Sequence, residues 1–138
     1  MSYLLDTNVL SEMVRKEPNE QVLRWFDNTP DHLLYVSVLT LGEIRKGVEV
    51  IVDTIRRERV LAWLEQDLPL WFGERILPVN AAVADEWGRL CAHMNRPLPA
   101  IDSLLAATAL HHKLRLVTRN TKDFNYPSLL VDNPWQSK

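Results

Sequence analysis

The chain of 138 residues has the size of one ordinary domain, and 46% hydrophobic residues with five tryptophans suffice for a real core. A formal net charge of −2 excludes nucleic-acid binding by bulk basic charge, but not by local clusters such as Arg56, Arg57 and Arg59, or Lys113, Arg115, Arg119 and Lys122. No run approaches the roughly 20 apolar residues of a membrane span, no secretory leader is legible, and the single cysteine, Cys91, cannot form an intramolecular disulfide, which together point to the cytosol.

In chain order, "SYLLD" reads as a short buried strand and "TNVLSEMVRK" as a helix that Pro18 stops. "NEQVLRWFDN" is a second helix, capped by Asn19, and "HLLYVS" a second apolar strand. Helical spacing returns from Leu39, with Leu41, Ile44 and Val48 on one side. Asp53 and Thr54 start a further amphipathic helix, expected to end near Pro69. "RILPV" is a short strand, Asn80 caps "AAVADEWGRLCAHM", and "NRPLP" is a loop. The alanine- and leucine-rich "AIDSLLAATALHHK" is the best helix former in the chain. "LRLVT" is a strand, "RNTKDFNYP" a loop, and "SLLVDNPW" a last strand and tail.

Strands alternating with helices predict a single α/β domain over 1–138 with a mainly parallel central sheet. Right-handed crossovers then bring strand C-termini and helix N-termini to one edge, where open α/β sheets bind ligands. Asp6 ends the first strand, Glu43 lies early in the helix after "HLLYVS", Asp102 lies in the first turn of "AIDSLLAA", and Thr118 to Asp123 follow "LRLV". Each acid has a plain alternative: Asp6 or Asn8 as a cap, Thr40-Leu41-Gly42-Glu43 as a capping box, Asp102 as a partner of the helix dipole, Asp123 as a turn residue. Gathered in one cleft, however, like charges repel, and a divalent cation would offset that. Oxygen donors without cysteine or histidine suit Mg²⁺ or Mn²⁺, which can activate water against a phosphodiester. No Gly-rich phosphate loop exists among Gly42, Gly47, Gly73 and Gly88.

"LLDTNVLSE", "LTLGEIRKGV", "AIDSLLAATALHHKLRLVTRNTKDF" and the closing "NPW", in that order across essentially the whole chain, resemble a PIN-domain ribonuclease, and more closely a VapC-type toxin of the FitB-like subgroup. The resemblance implies a PIN-like α/β/α sandwich and Mg²⁺- or Mn²⁺-dependent endonucleolytic cleavage of RNA. It also implies a homodimer held inactive by a separate antitoxin chain. Asp6, Glu43 and Asp102 match the first three acidic positions, with Asp6 and Asp102 as metal ligands. Thr7 and Asn8 match the polar residues beside the first, and Thr118 the small hydroxyl residue after the fourth strand. Asp123 is expected to fill the fourth acidic position with Asn120 assisting. RNA as substrate rests on the likeness, with the basic residues around Arg115, Arg119 and Lys122 as candidate phosphate contacts.

Other readings fit fewer residues. A haloacid-dehalogenase-type phosphatase needs a second Asp two residues after the first, where this chain has Asn8. A phosphoacceptor receiver-like module needs an Asp ending a middle strand, which "RILPV" lacks. A PIN module without catalysis would serve only as a binding subunit. Trp25, Phe26, Trp63 and Trp71 exceed what one small core obviously needs, which suggests a surface for the antitoxin; apolar surface over 53–72 and 80–94 suggests the homodimer.

Overall fold

Residues Tyr3–Leu5 form β1, the central strand of a sheet in a computed structural model that describes residues 1–136. Leu4 and Leu5 are both fully buried because the sheet is covered on both faces. Leu4 joins the core layer on one face, and Leu5 the layer on the other. The remaining strands are β2 (Leu34–Ser37), β3 (Ile76–Leu77), β4 (Arg115–Val117) and β5 (Val131–Asp132). Their order is β3-β2-β1-β4-β5, and every pairing is parallel.

One face carries α1 (Thr7–Leu10), α2 (Glu20–Asp27), α3 (Val38–Glu49), α4 (Thr54–Ala62) and α5 (Leu68–Phe72). The other carries α6 (Ala81–His93) and α7 (Ala100–His112). This is the expected α/β/α sandwich. The caps read from the sequence hold. Asn19 accepts from Gln21 N and Val22 N at 2.9 and 3.2 Å, Asp53 from Ile55 N at 3.0 Å, and Asn80 from Val83 N at 3.0 Å.

Four expectations are corrected. The first helix lasts one turn as α1 and tightens into a 3-10 turn, Ser11–Val14. Its Glu12 is 2% exposed, and its carboxylate accepts from Asn19 N at 2.7 Å, tying the turn to the start of α2. The second strand begins only at Leu34, after a 3-10 turn over Asp31–Leu33. The helix after Asp53 runs through Pro69 to Phe72. A π turn, Trp63–Asp67, shifts the hydrogen-bond register first, so that Pro69 falls in the first turn of a new segment, where its missing N–H costs little. Arg115 is not available to a ligand: it donates to both oxygens of Asp132 at 2.7 and 2.6 Å and ties β4 to β5.

The four aromatics proposed for a partner belong to the core or its rim. Tyr3, Trp25, Phe26, Trp71 and Phe72 touch in series, and Trp63 packs on the same layer. The exposed apolar residues are others: Val52 at 95%, Leu70 at 87%, and Val50 and Ile55 beside them in exposure.

Two consequences are measurable. Lys113 ends α7 in the left-handed region, with φ 57°, a conformation that only glycine adopts without steric cost. Lys113→Gly should stabilise the protein by about 0.5–1 kcal/mol, the steric relief less the added chain entropy, in urea unfolding. Glu12→Ala should cost about 1–3 kcal/mol by leaving Asn19 N unpaired, and Glu12→Gln clearly less, because an amide oxygen can still accept that bond.

Candidate active site at the carboxyl edge of the sheet

Parallel pairing sets the site. Leu5 of β1 lies beside Val117 of β4, so Asp6 and Thr118 follow side by side at the same edge. Asp6 N donates to Val117 O at 2.9 Å, which carries the ladder one residue past the strand. Asp6 is both cap and cluster member. One carboxylate oxygen, Oδ1, accepts from Thr7 N at 2.7 Å at the start of α1. The other, Oδ2, accepts from Thr118 Oγ1 at 2.8 Å and from Asn8 Nδ2 at 3.4 Å.

Thr118 is fully buried and ties three segments. It donates to Asp6 and accepts from Asn120 N at 3.1 Å and Asn8 Nδ2 at 3.4 Å. Asn8 Oδ1 in turn accepts from Arg119 N at 3.2 Å. The expected supporting residues Asn8 and Thr118 therefore stand directly behind Asp6. Asn120 contributes through its backbone: its N–H caps Thr118, and its carbonyl accepts from Asp123 N at 3.0 Å, closing the 3-10 turn Thr121–Phe124 that carries Asp123.

Glu43 has no capping function. Ser37 caps α3, its Oγ accepting from Leu39 N at 3.0 Å, so Thr40 lies inside the helix and its buried hydroxyl finds no hydrogen-bond partner among the described residues. Glu43 is thereby displaced to the second turn, where Oε1 accepts from Thr7 Oγ1 at 2.6 Å. Asp102 stands in the first turn of α7, whose start has no side-chain cap.

The four acids share one electrostatic field. Burial raises the Asp6 carboxyl above its ordinary value; the bonds from Thr118 and Thr7 oppose that rise, and the charges of Glu43 and Asp123 add to it. Burial likewise raises Asp102, and Asp6, Asp123 and Glu43 push it further. Tyr126 feels Asp102 and Asp123 as well. Its buried hydroxyl has no hydrogen-bond partner among the described residues, and burial raises its pKa above the usual phenol value. Neither this tyrosine nor Glu12 was singled out from the sequence: both lie outside acidic or capping patterns, and only tertiary packing exposes their roles.

Among the described residues, no three acidic, imidazole or thiol side chains close tightly enough to cage a metal by themselves. The donors nevertheless fit a hard cation of the Mg²⁺ class, which keeps most of its waters and takes one or two carboxylates. All are oxygens, they repel one another, and two are already biased toward gaining a positive charge. Arg119 and Lys122, which follow Thr118 in the chain, are exposed, while Arg115 is consumed by Asp132.

The chain is 36% identical over 135 residues to a protein described as Toxin FitB from Neisseria gonorrhoeae, covering 96% of this chain and 97% of that one. It is 32% identical to a VapC ribonuclease, Y4jK, of Sinorhizobium fredii, over 96% of this chain and 97% of the relative. The crystal structure of FitAcB from Neisseria gonorrhoeae superposes with a TM-score of 0.90 at 35% identity, over 98% of this chain and 99% of that one. The family model described as PIN domain matches residues 3–127, and with the parallel sheet and the acidic edge in place, this chain belongs to the PIN-domain family.

Proposed function

We propose that the chain is a divalent-metal-dependent endoribonuclease, the toxin of a toxin–antitoxin pair, cutting RNA phosphodiester bonds at the carboxyl edge. The observation that carries this is the shared field of Asp6, Glu43, Asp102 and Asp123, brought from four separate segments. The relatives named as a toxin and as a VapC ribonuclease support RNA as the substrate and toxicity as the outcome.

Asp6 and Asp102 would hold Mg²⁺ or Mn²⁺, which when bound withdraws charge from a phosphate oxygen and makes water a better nucleophile. The chain's own groups do the rest. Thr118 and Asn8 fix the orientation of Asp6 by occupying Oδ2 from behind. Thr7 holds Glu43 Oε1 and leaves Oε2 to take a proton from the attacking water, whose oxygen then bonds to phosphorus as one P–O ester bond breaks. Asp123 adds negative charge to the cluster and is placed by the Asn120 carbonyl.

The exposed side chains of Val50, Val52, Ile55 and Leu70 supply apolar surface for the antitoxin or a second copy of the chain. This surface lies on α4, α5 and the segment before α4. The described residues of α6 add no exposed large apolar side chain, so the 80–94 segment gives less support to the homodimer than its sequence suggested.

With Mg²⁺ or Mn²⁺, the purified chain should cut a single-stranded RNA, and excess EDTA should stop it. Asp6→Asn, Glu43→Gln and Asp102→Asn should each lower the rate by about 10²-fold or more. A chain that leaves RNA intact with either metal, or an Asp6→Asn variant that cuts at the full rate, would refute the assignment.

Stability should report the same cluster. Because the folded-state value of Asp102 lies above its ordinary 3.8, the ionised carboxylate opposes folding. That cost is complete above the folded value, fades as pH falls through it, and is gone below 3.8, where the carboxyl is protonated in both states. Asp102→Asn should thus raise the Tm of the metal-free protein at pH 7, and the gain should shrink as pH approaches about 4. Mg²⁺ should raise the Tm of the unaltered chain more than that of the variant.

A further inference from the structure

Net charge and an acidic edge leave one problem for a polyanionic substrate: the carboxylates repel the phosphates they must cut. A cation has to stand beside them without collapsing onto them. Among the basic residues after β4, Arg115 is spent on Asp132, whereas the guanidinium of Arg119 makes no hydrogen bond or ion pair among the described residues. It is held in another way. The Arg119 N–H donates to Asn8 Oδ1 at 3.2 Å, and its carbonyl accepts from Asn133 Nδ2 at 3.5 Å. Asn133 Oδ1 accepts from Trp135 N at 2.9 Å, bending residues 133–135 into a hook. The Trp135 ring, half-buried against the core, then lies 5.2 Å from Arg119 Cζ.

We infer that the hook at residues 133–135 is a positioning device, and that Arg119, seated on the Trp135 ring, is the contact that holds an RNA phosphate beside the acidic cluster; this rests on the ribonuclease reading above. The ring attracts the guanidinium through its face. That leaves the in-plane N–H donors of the guanidinium free for phosphate oxygens, in the fork geometry that lysine lacks. The ring also competes with the carboxylates. Without it, the long side chain can fold onto the acidic edge, where it would neutralise the cluster and no longer meet substrate. Asn8 makes the placement specific: the same amide that supports Asp6 through Nδ2 fixes the Arg119 backbone through Oδ1, so the cation and the carboxylate share one reference point.

Steady-state cleavage of a fluorescent single-stranded RNA by the full chain tests this, with KM followed as a function of salt. Arg119→Ala should raise KM about tenfold and reduce the slope of log KM against log salt by about 0.7, the value of one lost phosphate contact on a single strand. Trp135→Leu should raise KM severalfold with the same loss of slope, and the Arg119→Ala/Trp135→Leu double variant should be no worse than Arg119→Ala alone. Trp135→Phe should restore most of the loss, because a smaller aromatic face still attracts the guanidinium. If Trp135→Leu does not fold, Asn133→Ala must reproduce the KM effect with a normal melting curve, and its failure to do so overturns the inference. Trp135→Leu with unaltered KM and slope, or additive effects in the double variant, also overturns it while leaving the ribonuclease reading intact. An unaltered chain that does not cut RNA removes that reading, and the inference with it.

Discussion

A hydrogen bond of 2.8 Å from Thr118 to Asp6, between residues 112 apart in sequence, is the contact on which the acidic edge depends. A carboxylate that is 8% exposed and repelled by Glu43 and Asp123 is costly to keep. It is tolerable because both of its oxygens are occupied, one by the first N–H of α1 and the other by the Thr118 hydroxyl and the Asn8 amide. Each donor comes from a segment that the parallel register fixes. Remove the β1–β4 pairing, and Asp6 loses its support and Arg119 its anchor together. Glu43 hangs on the same frame through Thr7, the residue whose N–H serves Asp6 and whose hydroxyl serves Glu43.

The cluster is therefore a compromise between a site and a stable fold. The protein accepts repulsion among Asp6, Glu43, Asp102 and Asp123, and compensates at Asp6 and Glu43 with neutral donors instead of arginine or lysine. Neutral donors orient a carboxylate without cancelling its charge, so the negative potential stays available to a cation. The guanidinium of Arg119, the residue after Thr118, is diverted to an aromatic ring. Elsewhere the chain pairs charges freely, as in Arg115 with Asp132 and Arg57 with Glu49, so the absence of such pairs at these four acids among the described residues reflects the site and not the composition.

The alternation of strands and helices, the caps at Asn19, Asp53 and Asn80, and the shared edge of the four acids were all legible in the sequence. Each depends on short-range patterning or on the handedness of crossovers. What was hidden depends on tertiary competition. Thr40 to Glu43 satisfies the capping-box spacing, but Ser37 starts the helix one turn earlier because β2 runs directly into it. Pro69 signals a helix end, yet a π turn shifts the register ahead of it. Arg115 looks like a free cation until β5 brings Asp132 alongside. Glu12 looks like a solvated charge until the chain folds back and presents Asn19 N. A divalent cation could be argued from the oxygen donors themselves, whereas RNA as the expected substrate rested on likeness, because oxygen donors at one edge suit several phosphate chemistries.

The position of β1 between β2 and β4 has a bearing on synthesis. As the chain emerges residue by residue, β1 can pair with β2 early, but its other neighbour begins only at Arg115. Until then Asp6 has no Thr118 and the cluster has no Asp123. A partial chain on the ribosome accordingly carries the first acids without their frame. The acidic edge is in this way completed far from the chain's own beginning, after most of its message has been read, and a product interrupted before β4 would lack both Thr118 and Asp123.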